Sequence, residues 1–182
     1  MSISENIAAI RREIHLAAAK TGRTGEDITL VGASKMNDAA ACREAIAAGI
    51  YVLGEKRVHE MTQKLAENAY DCVPLHVIGH LQRNKVKQVV GKAALIQSVS
   101  SAALLDEIEK NAEKLGIVQD ILLEVNIGGE EAKSGFAPGA LNEAACYAKT
   151  LPHVRVLGLM TIPPVETEPH GNMPLFARMK AL

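Results

Sequence analysis

Hydrophobic residues recur along the chain in two alternating patterns. Short apolar runs are typical of buried parallel strands, and apolar residues spaced three and four apart are typical of amphipathic helices. The helical spacing comes first, over residues 3–20. The two patterns then predict strands at 28–34, 50–53, 75–78, 94–99, 120–126 and 155–160, and helices at 38–48, 57–67, 82–91, 100–115, 139–150 and 173–182.

This order is a leading helix followed by six β-then-α units. Such alternation predicts an α/β fold with a parallel sheet, either open and doubly wound or curled into a barrel. No shift in composition and no linker separates the units, so we expect one domain over residues 1–182.

Composition narrows the functional classes. The 182 residues are 48% hydrophobic and carry 20 basic against 21 acidic side chains, a balance that disfavours a dedicated nucleic-acid binder. No apolar stretch approaches the roughly 20 residues of a membrane span, and the N-terminus lacks a signal-peptide pattern. We therefore expect a cytoplasmic protein without membrane contact. With two Phe, three Tyr and no Trp, its core must be aliphatic.

The three cysteines, Cys42, Cys72 and Cys146, are odd in number and far apart in the sequence. Their spacing matches no metal site. We expect buried or half-buried free thiols in a reducing compartment, and no metal.

Polar residues follow most of the predicted strands. Since ligands of α/β folds gather at the carboxyl ends of strands, these residues are the candidates for a site. In a barrel they would converge on one mouth, whereas in an open sheet they would be spread along an edge. They are Lys35, Glu55-Lys56-Arg57, His80, Ser98 and Ser100, Asn126, and Met160-Thr161.

Lys35 is the strongest candidate for chemistry. It ends the apolar run that begins at Leu30, and a partly desolvated lysine there would have a lowered pKa and could attack a carbonyl carbon. Simpler interpretations remain open: Lys35 as a solvated loop residue, His80 as a helix-entry residue, and Asn126 as a partner for loop backbone.

Other site classes find less support. Gly128-Gly129 lacks the glycine spacing of a dinucleotide site, and the basic stretch at 83–87 is typical of a solvated helix face. Spacing alone indicates no Ser-His-Asp triad or paired carboxylates.

Several longer motifs resemble the YggS/PROSC family of pyridoxal phosphate homeostasis proteins, and the resemblance covers nearly the whole chain. They are Ser34-Lys35, Gly54-Glu55-Lys56-Arg57-Val58-His59-Glu60, His76-Val77-Ile78-Gly79-His80-Leu81-Gln82-Arg83-Asn84-Lys85, the loop from Val125 to Phe136, and Gly158-Leu159-Met160-Thr161-Ile162-Pro163.

The resemblance implies an alanine-racemase-like (β/α)8 barrel that binds pyridoxal 5′-phosphate. It implies that Lys35 holds this cofactor as a Schiff base, the internal aldimine, and that His80, Asn126 and Met160 line the pocket. The family buffers the cofactor and has no established turnover. Proton transfer on both faces of a substrate carbon would need a second acid or base. The alternatives are a racemase-like enzyme that uses Lys35 as a base, and a regulatory binding module that has lost the cofactor.

Two departures from the family pattern matter. Lys56 stands where the family has Asn, and this added cation either tunes the cofactor pocket or points to solvent. The chain also ends at Leu182, before the family's phosphate-binding Ser-Met-Gly-Met-Ser stretch and an Arg-Ile-Gly stretch. We therefore expect a shortened form with six of eight β/α units. We expect pyridoxal phosphate and related vitamers as ligands, and a monomer or weak dimer.

Overall fold

The computed structural model describes residues 2–71, 73–166 and 168–182. The chain divides into two compact units, Met1–His76 and Val77–Leu182. Its described strands lie in one sheet in the order β1 to β6, and the pairings β1–β2, β4–β5 and β5–β6 are parallel. The strands are β1 Val31–Ala33, β2 Val52–Glu55, β3 Leu75–Val77, β4 Leu95–Val99, β5 Gln119–Glu124 and β6 Val154–Met160.

The first unit opens with helix α1, Ile3–Ala19, whose N-terminus is closed by a capping box between Ser2 and Glu5. Helix α2, Ala39–Ala47, is capped by the Asp38 side chain. Helix α3, Val58–Ala66, follows β2 and buries Met61 completely.

The second unit contains a 3-10 helix, Arg83–Gln88, and helices α4, Ala102–Leu115, α5, Leu141–Ala148, and α6, Met173–Ala181. Ser101 caps α4, which ends at Gly116 in a left-handed conformation with a φ of 63°. The core of this unit is aliphatic, as expected from the composition. Its largest fully buried side chains are Val86, Val89, Ile96, Val99, Leu104, Leu105, Ile108, Ile121 and Leu123.

The α/β alternation with a leading helix is confirmed, but the limits of several elements differ from the predicted ones, most clearly those of β1 and β2. Strand β1 starts at Val31 and not at 28, because the Ile28 N–H donates to the Gly25 carbonyl in a 3-10 turn. Strand β2 lies two residues further along than predicted, since the Ile50 N–H is still bonded to the Ala45 carbonyl of α2. Glu55 is consequently a buried strand residue.

The predicted helix at 82–91 is wrong in type and length. The segment forms the 3-10 helix Arg83–Gln88 and then turns at Gly91, which has a φ of 78°. Its valines Val86, Val89 and Val90 do point inward, as predicted. Only Val86 lies within the 3-10 helix, and Val89 and Val90 follow it in the turn before Gly91.

Two further expectations concern thiols and membranes. Cys42 is buried and free as predicted, Cys146 is free but exposed, which corrects the prediction, and Cys72 lies outside the described residues. Among the residues described, no helix is both long and apolar enough to cross a bilayer. The prediction of one domain over 1–182 stays a prediction.

Candidate functional site

The loop after β1 carries Lys35 between a buried and an exposed neighbour. Ser34 is buried, whereas the side chains of Lys35 and Met36 are exposed. The Ser34 N–H donates to the Gly54 carbonyl of β2 at 3.0 Å, and the Asn37 N–H donates to the Ser34 carbonyl at 3.1 Å. The expectation that Lys35 is partly desolvated is therefore wrong. Its backbone is held by hydrogen bonds on either side, but its side chain is exposed to solvent.

Met36 is unusual in its backbone. Its φ of 62° lies in the left-handed region, which an L-residue with a Cβ atom adopts at a cost. Its N–H donates to Glu60 Oε2 of α3 at 3.0 Å. This hydrogen bond lowers the pKa of the Glu60 carboxyl, and nearby Lys64 and Arg57 lower it further. A carboxylate on α3 thus holds the strained turn after Lys35.

A second α3 side chain, that of Lys64, binds the backbone that precedes Lys35. Lys64 Nζ donates to the Ser34 carbonyl oxygen at 2.6 Å and lies 2.5 Å from Glu55 Oε1. Both side chains of this ion pair are buried. Since Glu60 and Lys64 are four residues apart, they occupy one face of α3.

Glu55 is the centre of this buried polar cluster. Its Oε1 accepts hydrogen bonds from Ser34 Oγ at 2.6 Å and from the Tyr70 hydroxyl at 3.3 Å, besides the contact with Lys64. Burial, and then the Glu55 charge, raises the pKa of the Tyr70 phenol strongly, so Tyr70 remains a donor. Among the described residues Glu55 Oε2 has no partner.

His80 follows β3 and is exposed. The preceding backbone is fixed by Ser98, whose buried hydroxyl donates to the Gly79 carbonyl at 2.6 Å. The His80 imidazole interacts electrostatically with the carboxyl group of Glu124, at the end of β5. Burial raises the pKa of the Glu124 carboxyl, and the Ser134 hydroxyl and His80 offset part of this rise. This second unit therefore places an exposed imidazole near a largely buried carboxyl group.

Asn126 organises the loop after β5. Its Nδ2 donates to the carbonyls of Glu130 at 2.8 Å and Lys133 at 3.3 Å, and its Oδ1 accepts the Glu130 N–H. The simple interpretation of Asn126, as a partner for loop backbone, is thus confirmed. Gly135 closes the same loop with a φ of 120°, and a Cβ atom there would lie 2.6 Å from the Asn126 nitrogen.

Met160 ends β6 and is half-buried. Its carbonyl accepts the Val125 N–H at 2.8 Å, and the Thr161 hydroxyl donates to the Val125 carbonyl at 2.7 Å. Met160 therefore lies beside the start of the Asn126 loop.

All five predicted site residues lie at or just after the carboxyl end of a strand. Lys35 and the exposed Lys56 belong to the first unit, and His80, Asn126 and Met160 belong to the second. Their roles toward a cofactor stay predictions.

Sequence reasoning missed Glu60, Lys64 and Glu124. One signal for Lys64 was available: it lies three residues after the apolar Met61, on the same side of the predicted helix at 57–67. A lysine at that position is buried only if it has a partner.

A family model described as the alanine racemase N-terminal domain matches residues 5–182. A pyridoxal phosphate homeostasis protein of Aquifex aeolicus is 42% identical over 182 residues, which are 100% of this chain and 80% of that protein.

Two solved structures are also similar. The crystal structure of an unknown protein from Bifidobacterium adolescentis has a TM-score of 0.93 and 31% identity, covering 98% of this chain and 76% of its own. PipY of Synechococcus elongatus PCC7942, solved with PLP bound, has a TM-score of 0.82 and 30% identity, with coverage of 99% and 79%. These matches confirm the YggS/PROSC resemblance. The chain belongs to the alanine racemase N-terminal-domain family and, within it, to the pyridoxal phosphate homeostasis proteins.

Proposed function

We propose that this chain binds pyridoxal 5′-phosphate through Lys35 and serves intracellular homeostasis of that cofactor. The observation that carries the proposal is the position of Lys35, an exposed amine on a loop whose flanking backbone is hydrogen-bonded on both sides. Relatives named pyridoxal phosphate homeostasis proteins and the PLP-bound structure of PipY support it.

The residues of the first unit fit an aldehyde ligand. Pyridoxal phosphate supplies an aldehyde that condenses with a deprotonated amine, forming a C=N bond to Nζ and releasing one water molecule. Lys35 provides the amine, and its exposure leaves that amine open to approach. Lys56, directly after β2 and also exposed, provides a second positive charge for an anionic ligand.

Roles for the second-unit residues are also part of the proposal. His80 and Met160 would contact the pyridine ring or its substituents. The Asn126 amide is engaged by the loop backbone, so we infer that Asn126 acts by shaping the loop.

We further infer that the protein carries the cofactor without catalytic turnover. The names of the relatives, which describe homeostasis, support carriage. The competing function is a racemase-like enzyme in which Lys35 moves a proton. Racemisation of alanine or serine by the loaded protein above the rate of free cofactor would favour the enzyme, and we expect none.

The test is titration of the purified chain with pyridoxal phosphate, followed by borohydride reduction and peptide mass spectrometry. We expect a rise in violet absorbance and a reduced cofactor adduct on the peptide that contains Lys35. Lys35→Ala should lose both. Lys92→Ala, which removes an exposed lysine far along the sequence, is the control and should keep both. An equal adduct yield in Lys35→Ala would refute the assignment.

A further inference from the structure

The two peptide groups that adjoin Lys35 are both held by helix α3. Lys64 Nζ donates to the carbonyl of the Ser34–Lys35 peptide, and Glu60 Oε2 accepts the N–H of the Lys35–Met36 peptide. The orientations of these two peptide planes define φ and ψ of Lys35. They therefore define the direction of its Cα–Cβ bond.

We propose that Glu60 and Lys64 are positioning residues that set the direction in which the Lys35 amine is presented to its aldehyde ligand. This inference rests on the proposed function of Lys35. We call the pair, with the two peptide groups that it binds, the α3 clamp.

The cost of the clamp argues that it does more than stabilise the fold. Lys64 is only 5% exposed, and an ion pair taken out of water seldom stabilises a fold more than apolar side chains would. Met36 is held in a left-handed conformation although its side chain is 88% exposed and gains nothing from packing. Both features raise the free energy of the native state, and both fix backbone next to Lys35.

Lys64 is itself fixed, so the clamp has a rigid base. Glu55 Oε1 lies 2.5 Å from Lys64 Nζ and accepts a hydrogen bond from the Ser34 hydroxyl at 2.6 Å. The ammonium group is thereby held between a β2 carboxylate and the Ser34 backbone. Neither Glu60 nor Lys64 needs to touch the ligand in order to act.

Glu60 is the better residue to vary, since its side chain is partly exposed whereas Lys64 is buried. Glu60→Ala removes the acceptor for the Met36 N–H, and Glu60→Gln keeps an acceptor oxygen without the charge. Glu67→Ala is the matched control: it removes a carboxylate that follows the same helix and bonds only with the Gln63 side chain among the described residues.

The first measurement is the rate at which each variant forms the Lys35 adduct with pyridoxal phosphate. We expect Glu60→Ala to be slower by about fivefold, the effect of one lost hydrogen bond. Glu60→Gln should recover to within about twofold of wild type, and Glu67→Ala should match wild type. Thermal midpoints recorded in parallel show that each variant is folded at the assay temperature.

The second measurement needs no cofactor: hydrogen exchange of the Met36 amide, which should accelerate in Glu60→Ala and not in Glu67→Ala. If wild type forms the adduct and folded Glu60→Ala forms it at the same rate, the positioning role is overturned. If wild type forms no Lys35 adduct, the proposed function fails and this inference fails with it. The exchange data still report whether the clamp contact exists.

Discussion

Lys64 Nζ donates a 2.6 Å hydrogen bond to the carbonyl oxygen of Ser34, the residue immediately before Lys35. The helix that follows β2 therefore places a buried positive charge on the backbone of the loop that follows β1. Glu55 balances this charge, since its Oε1 lies 2.5 Å from the same nitrogen.

The first prediction concerns this ion pair. Lys64→Met leaves the Glu55 carboxylate buried without its cation, and we expect the free energy of unfolding to fall by about 3–5 kcal/mol. Urea denaturation measures the change. Adding Glu55→Gln should restore more than half of the loss, because the buried charge is then gone. A cost below about 1 kcal/mol for Lys64→Met alone would contradict the burial of the pair.

The second prediction concerns the left-handed Met36. Met36→Asn should leave stability unchanged or raise it by about 0.5 kcal/mol, because Asn tolerates this region. Met36→Val should lower it by about 1–2 kcal/mol, since a branched Cβ atom worsens the clash. Met36→Leu is the control, because it changes the side chain at this exposed position but keeps an unbranched Cβ atom. Equal stabilities for the Asn and Val variants in guanidinium denaturation would argue against a positive φ at this position.

The third prediction concerns Gly135. A Cβ atom at this position would lie 2.6 Å from the Asn126 backbone nitrogen, at a φ of 120° that side chains avoid. We expect Gly135→Ala to lower the free energy of unfolding by about 2 kcal/mol or more and to disturb the Asn126 loop. Gly139→Ala is matched to it, because a Cβ atom there has no neighbour within 4 Å, and it should be neutral. Similar thermal midpoints for both variants would refute this account.

The fourth prediction concerns Glu124 and pH. Burial raises the pKa of its carboxyl, so the folded protein favours the protonated form. The penalty of burying the charge is absent below the ordinary pKa of 4.5 and grows as pH rises through the raised value. Glu124→Gln should therefore be more stable than wild type at pH 7.

The advantage of Glu124→Gln should shrink toward zero as pH falls to 4. Denaturation series at several pH values check this. The amide oxygen of Gln can still accept the Ser134 hydroxyl, so Ser134→Ala in both backgrounds separates that hydrogen bond from the charge. An advantage that does not depend on pH would exclude the carboxyl titration as its cause.

The strand and helix alternation was predictable because buried parallel strands are continuous apolar runs, a purely local signal. The limits of β2 were not, since the Ile50 N–H is bonded to the carbonyl of Ala45 and the pairing with β1 starts only at Val52. The hydrogen bonds of a strand residue depend on its neighbours in space. The apolar run alone does not identify those neighbours.

The candidate site was predictable to the same extent. Lys35 could be found from its place at the end of an apolar run. The α3 clamp could not be predicted, because a lysine in a helix is usually solvated. Only the fold shows that the buried Glu55 lies beside Lys64. Likewise, the influence of His80 on Glu124 joins residues far apart in the sequence. Pairs of this kind appear only when the fold is known.

The polar contacts described around Lys35 share a further property: their members all fall between Ser34 and Tyr70. The chain segments that they close span 15 to 30 residues, so closing them costs less entropy than closing longer segments would. On a ribosome, every side chain that makes these contacts has been synthesised once Tyr70 has been added. The polar contacts that orient the backbone around Lys35 therefore come from one contiguous stretch, and all their partners precede the second unit in the sequence.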